Sequence, residues 1–162
     1  MKGAIAVLAA VTALLIGAAQ LVAKGDTVSI RIAGGDLATP IEITDRAVAS
    51  HFQVWAGPLT TNDEPQSLNI DWSRGVAETP KGLEIYDVSF VTTRSDPSTY
   101  VVRYAIDPST NAGYVYLPGK DEPGYRDNVF LIYRGVEGKW FHAWSDWEKL
   151  ANPLIATHRR AH

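Results

Sequence analysis

The chain has no cysteine. That excludes disulfides, Cys-ligated zinc, iron–sulfur clusters, thiol catalysis and a lipid anchor on an N-terminal cysteine. It also lacks the short signatures that carry common chemistries: no G-x-S-x-G elbow, no H-E-x-x-H, no Walker A loop, no G-x-G-x-x-G and no N-x-[ST]. An excess of one charge sign is lacking: 15 Lys and Arg stand against 18 Asp and Glu. A formal net charge of −3 argues against nucleic acid as the main partner. No cofactor or metal is expected. His158 and His162 have helical i, i+4 spacing, but their terminal position makes adventitious binding the plainer reading. Asp63-Glu64 and Asp121-Glu122 do not match calcium-loop spacing.

What is present begins with an apolar leader. Gly3 to Ala23 is apolar or small apart from Thr12 and Gln20, behind a single Lys2. Gly17-Ala18-Ala19 fits a signal-peptidase site, with cleavage after Ala19. The competing reading is an uncleaved anchor, because 21 residues make about 31 Å of helix, enough to span a bilayer. Both readings export the remainder. Residues 1–23 are thus a signal peptide or membrane anchor, 24–158 a single exported globular domain, and 159–162 a frayed C-terminus. Outside the cytoplasm a disulfide would be available, and this domain does without one.

The exported part reads as strand-rich. Val28, Ile30 and Ile32 alternate with Ser29 and Arg31, as in a half-buried strand. Gly34-Gly35 turns the chain into a short return strand over Pro40–Thr44. Asp45 is an N-cap residue, Val48, Phe52 and Trp55 share a helical face, and Gly57-Pro58 is a stop, which predicts a helix over 46–56. Ser67–Trp72 alternates again. Ser73–Gly82, with two Gly and one Pro, reads as a loop.

Tyr86–Thr92, Tyr100–Ile106 and Gly113–Leu117 are strands joined by two copies of Asp-Pro-Ser-Thr, at 96–99 and 107–110. Asp followed by Pro is type I turn chemistry, which makes the three strands an antiparallel meander. Asn128–Arg134 and Lys139–Ala143 are further strands around a Gly-rich turn. Ser145 and Glu148 form a capping box for a helix over 146–157, which Pro153 should end or kink near Asn152. The fold expected is α+β: a largely antiparallel sheet of six to eight strands with two short helices. A small β-barrel or sandwich is the alternative.

Two histidines are candidates for chemistry. His51 has Asp45 and Glu42 nearby in sequence, although a solvent-side helix histidine is the plainer reading. His142 shares a strand face with Trp140, and a buried, hydrogen-bonded histidine is the plainer reading there. The acids are scattered, and no pair is singled out for hydrolysis.

Aromatics are the compositional signal, with five Trp and seven Tyr. Tyr114 and Tyr116 share a strand face, and Trp144 and Trp147 flank the last helix cap and are expected to be partly exposed. Such rings serve either as a stacking platform for sugars or peptides or as core and rim. Tyr114, Tyr116, Trp144 and Trp147 are the candidate binding residues.

Residues 32–57 (IAGGDLATPIEITD, then F-x-x-W-x-G) and 134–148 (RGVEGKWF, then Trp147-Glu148) resemble secreted bacterial proteins of unassigned function. The resemblance implies export and a bacterial source, and no activity or site residue. The function expected is a non-catalytic extracytoplasmic ligand- or partner-binding domain, with cell-envelope glycan or an envelope protein as partner. The membrane is involved only through residues 3–23 if they are uncleaved. The alternative is a small secreted hydrolase using a histidine, His51 or His142, and a carboxylate.

Overall fold

The period-two segments pair as the sequence predicts. A computed structural model describes residues 26–54, 66–93, 99–125 and 136–160. Its strands are β1 (Thr27–Gly34), β2 (Ile41–Ile43), β3 (Gln66–Ser67), β4 (Ile70–Asp71), β5 (Ile85–Thr92), β6 (Thr99–Ile106), β7 (Gly113–Leu117) and β8 (Lys139–His142). The helices are α1 (Arg46–Ala49) and α2 (Ser145–His158). Six strands form one antiparallel sheet in the order β2-β1-β5-β6-β7-β8, and β3-β4 is a separate hairpin. The architecture is α+β. The sheet is open, with β2 and β8 at its ends, which sets aside the barrel. The predicted strand over 128–134 and the Asp96 turn lie outside the described residues.

Alternation assigns the two faces. Ile30, Ile32, Tyr86, Val88, Phe90, Tyr100, Val102, Tyr104, Val115, Leu117 and Phe141 point to one side and are buried. The alternate residues of β7 and β8, Tyr114, Tyr116, Trp140 and His142, point to the other. Helix α2 covers the inner face through Trp147, Ala151 and Ile155, spaced four apart. The Trp147 ring stands edge-on to Phe52 (5.2 Å) and Tyr104 (5.7 Å).

Several expectations are corrected. Helix α1 ends at Ala49, short of 56, because the chain is needed elsewhere. His51 N–H and Phe52 N–H bond three residues back, to Val48 and Ala49. The Phe52 carbonyl then accepts from Thr27 Oγ1 (2.8 Å), and the Gln53 carbonyl from Leu68 N–H (2.8 Å). Residues 67–72 are no single strand. Leu68 and Asn69 form the two-residue turn of the β3-β4 hairpin, with Leu68 at φ +57°, and a 3₁₀ turn follows at Trp72–Arg74.

Helix α2 spans the predicted 146–157 and continues to His158, so Pro153 does not end it. A proline inside a helix costs about 3 kcal/mol, and Trp147 and Ala151 before it and Ile155 after it supply the packing that offsets this. Ser145 is the first helical residue, and the N-cap is Trp144, without a side-chain cap. Glu148 does not close a capping box: its carboxylate accepts from Gly113 N–H at the start of β7 (2.7 Å). Asp45, by contrast, caps α1 as expected, accepting from Ala47 N–H at 2.8 Å.

Arg159 and Arg160, expected to fray, are tied down. Arg159 pairs with Asp36 (3.1 Å) and donates to the Tyr86 hydroxyl (3.3 Å), which itself donates to Asp36 (2.6 Å). The backbone of Arg160 donates to the Asp36 carbonyl. Burial first, and then the bond to Asp36, push the Tyr86 phenol up to about 12.

Candidate functional site

The chain between β4 and β5 has to travel. Ile70 bridges to Ala143 and Val76 to Phe141, and Ala77 N–H donates to the Trp140 carbonyl (2.8 Å), so residues 70–77 run along the free edge of β8. Residue 85, however, begins β5, which pairs with β6, two strands away from β8. The intervening segment therefore crosses the outer face of the sheet, and Leu83 packs against the cluster of Ala77, Ala105 and Trp140. Gly75 and Gly82 flank the crossing, both at positive φ (68° and 69°) with open space where a Cβ would stand. Each is required by the bend of the chain rather than by crowding.

Beneath this strap is a cleft of about 480 Å³. Its roof is Val76 to Lys81 with Leu83, and its floor is Tyr114, His142 and Asp107. Tyr114 and His142 are cross-strand partners whose rings lie 5.7 Å apart. Burial, and then the charge of Arg74, push the His142 imidazole below its ordinary pKa, so it is uncharged at neutral pH. Its Nδ1 is shielded from solvent and has no hydrogen-bond partner among the described residues. A buried polar atom without a partner is uncommon, because it forfeits the bond it had with water. Asp107 closes its turn by accepting from Ser109 N–H (2.8 Å) and Ser109 Oγ (2.6 Å), and those bonds hold its carboxyl below the usual range.

Tyr116, on the same face, is committed elsewhere. Its hydroxyl donates to Glu122 (2.6 Å), its ring lies 5.1 Å from that of Trp140, and Arg103 sits over it at 5.4 Å while pairing with Glu122 at 2.8 Å. The bond from Tyr116 and that from Gly119 N–H hold Glu122 below its usual pKa.

The other candidates lie apart from the cleft. His51 is exposed. Its ring stacks on Trp144 at 4.8 Å, and its Nε2 is 3.6 Å from Asp146, which itself binds Lys149 at 2.7 Å. His51, Asp146, Ala47, Val48, Phe52 and Leu150 line a shallow depression. Trp144 is half-buried. Trp147, expected to be partly exposed, is fully buried at 0% exposure. Its spacing with Ala151 and Ile155 turns it inward, and its Nε1 has no partner among the described residues.

The structure therefore brings Tyr114 and His142 together, sets Tyr116 beside them in a bonded network, and separates Trp144 and His51 from both. The strap residues Glu78, Thr79, Lys81 and Leu83 were not singled out by the sequence. The one signal there was Leu83, an isolated apolar residue in a polar stretch. Among the described residues no group of three or more His, Asp and Glu side chains is placed to hold a metal ion, and no helix is long and apolar enough to cross a membrane. Compared with protein-family models, with curated proteins and with solved structures, the chain finds no match in any of the three.

Proposed function

We propose that this protein is a non-catalytic extracytoplasmic binding domain of the bacterial envelope, and that its ligand sits in the cleft between the 76–83 strap and the floor of Tyr114 and His142. The observation that carries the reading is the cleft itself. An aromatic ring and an uncharged imidazole lie on a sheet face, under a segment that carries Glu78, Thr79 and Lys81 among apolar residues. Sites for small ligands have this composition: an apolar wall, a few polar groups, and a volume of roughly 300–1,000 Å³.

A hydrolase is supported less well. His142 has no carboxylate within hydrogen-bond distance among the described residues. The acid near His51 is 3.6 Å away and already bonded to Lys149.

The test is a titration of the full chain, in detergent micelles, with soluble cell-wall fragments, followed by tryptophan fluorescence and by mass analysis of the fragments. Saturable quenching that Tyr114→Ala abolishes, with the fragments unchanged in mass, is the expected result. Cleaved fragments would overturn the non-catalytic reading. Quenching that survives Tyr114→Ala would move the ligand away from the cleft.

A further inference from the structure

We infer that the cleft under the strap takes a saccharide, that is, the sugar chain of an envelope polymer and not its peptide. The inference rests on the binding role proposed above and narrows its ligand.

A peptide commonly binds a sheet by adding a strand to a free edge. That route is closed beside the cleft. The free side of β8 already carries Ile70, Val76 and Ala77, and Ala77 N–H uses the Trp140 carbonyl. What the cleft offers instead is side chains. Tyr114 supplies an aromatic side chain on the floor, and Glu78, Thr79, Lys81 and Asp107 line the same space beside His142. A sugar ring has a C–H face that packs on an aromatic ring, and a rim of hydroxyls that both donate and accept.

Carboxylates accept from hydroxyls, an ammonium donates to them, and a neutral imidazole does one at each nitrogen. The charges also fit a sugar better than a phosphate ester: two carboxylates and one ammonium line the cleft, and among the described residues no arginine does, Arg74 acting on His142 only through its charge.

The experiment uses the full chain in detergent micelles and two probes: a peptide-free oligomer of N-acetylglucosamine and a synthetic wall stem peptide. Binding is measured by calorimetry, and saturation transfer to the sugar ring protons reports stacking. The expected result is that the oligosaccharide binds, its ring protons receive saturation, and Tyr114→Ala weakens it about tenfold or more while Tyr114→Phe stays within about threefold. Glu78→Lys, on the exposed strap, tests the same cleft without touching the core and should also weaken binding severalfold. Binding of the stem peptide alone would overturn the saccharide assignment and leave the binding role standing. Binding of neither probe would overturn both. Oligosaccharide binding indifferent to both Tyr114→Ala and Glu78→Lys would refute the assignment to this cleft.

Discussion

Asn152 ties helix α2 to strand β6 and to the β6–β7 turn, both far from it in sequence, and its removal can be worked through. The Tyr104 hydroxyl, on a fully buried side chain, donates to Asn152 Oδ1 at 2.6 Å. Asn152 Nδ2 donates to the Asn111 carbonyl at 2.9 Å and to Asn111 Oδ1 at 3.1 Å. Asn152→Ala leaves the phenol buried without an acceptor, at about 1–3 kcal/mol. The exposed Asn111 recovers water, and alanine returns about 0.5 kcal/mol of helix propensity. The net expectation is a loss of about 0.5–2.5 kcal/mol, read as a fall in the urea midpoint at constant m-value.

Tyr104→Phe alone should cost about 1 kcal/mol, because it removes the donor while Asn152 keeps Asn111. In the double variant the stranded hydroxyl is gone, so the two losses should fail to add by about 1 kcal/mol. If the single losses add to within about 0.5 kcal/mol, or if Asn152→Ala costs less than that, the buried bond is not what joins α2 to the sheet.

Three further outcomes follow from the same geometry. A Cβ on Gly113 would collide with the Tyr104 hydroxyl and with Ala143, so Gly113→Ala should cost about 2–3 kcal/mol in chemical denaturation while Gly82→Ala, with nothing near its Cβ, should show only backbone strain. Tyr86 has its pKa raised to about 12 by burial and by Asp36, and burial raises Tyr104 as well. Above about pH 10 the unfolded chain loses phenolic protons that the folded chain keeps, so stability should fall as pH rises from 10 toward 12. Tyr86→Phe should flatten that slope in urea melts, and an unchanged slope would count against it. Ending the chain at His158 removes Arg159 from Asp36 and Tyr86, and should lower the melting temperature by a few degrees while far-ultraviolet dichroism stays intact.

The strand faces were legible in the sequence because alternation is a local signal. Tyr100 and Tyr104 pair with the core, and Tyr114 and Tyr116 share the outer face, as parity requires. The Asp107 turn was legible for the same reason, its carboxylate bonding two residues on. Errors came where a local motif was outbid by a distant partner. Glu148 has capping-box spacing, yet it satisfies Gly113 N–H on another strand. Pro153 is a helix breaker, yet the inward spacing of Trp147, Ala151 and Ile155 carries the helix past it. The same spacing could have shown that Trp147 is core.

The candidate site was half legible. Tyr114 and His142 could be named, but the roof over them is a stretch without period or motif, whose position depends on which strands it must pass. No window of sequence states that path.

The path also has a consequence for the order in which the molecule assembles. The strap precedes in sequence the strands it crosses. The β5-β6-β7 meander closes through short connections and can form locally, whereas residues 76–84 have nothing to lie on until β7 and β8 are in place. The roof is thus among the last parts to settle and among the first to lift. Its tether, the Ala77 amide, should exchange with solvent through openings much smaller than those that free the amides of Val88 or Val102. A ligand could then enter by way of the least committed stretch of the fold, with the sheet beneath it undisturbed.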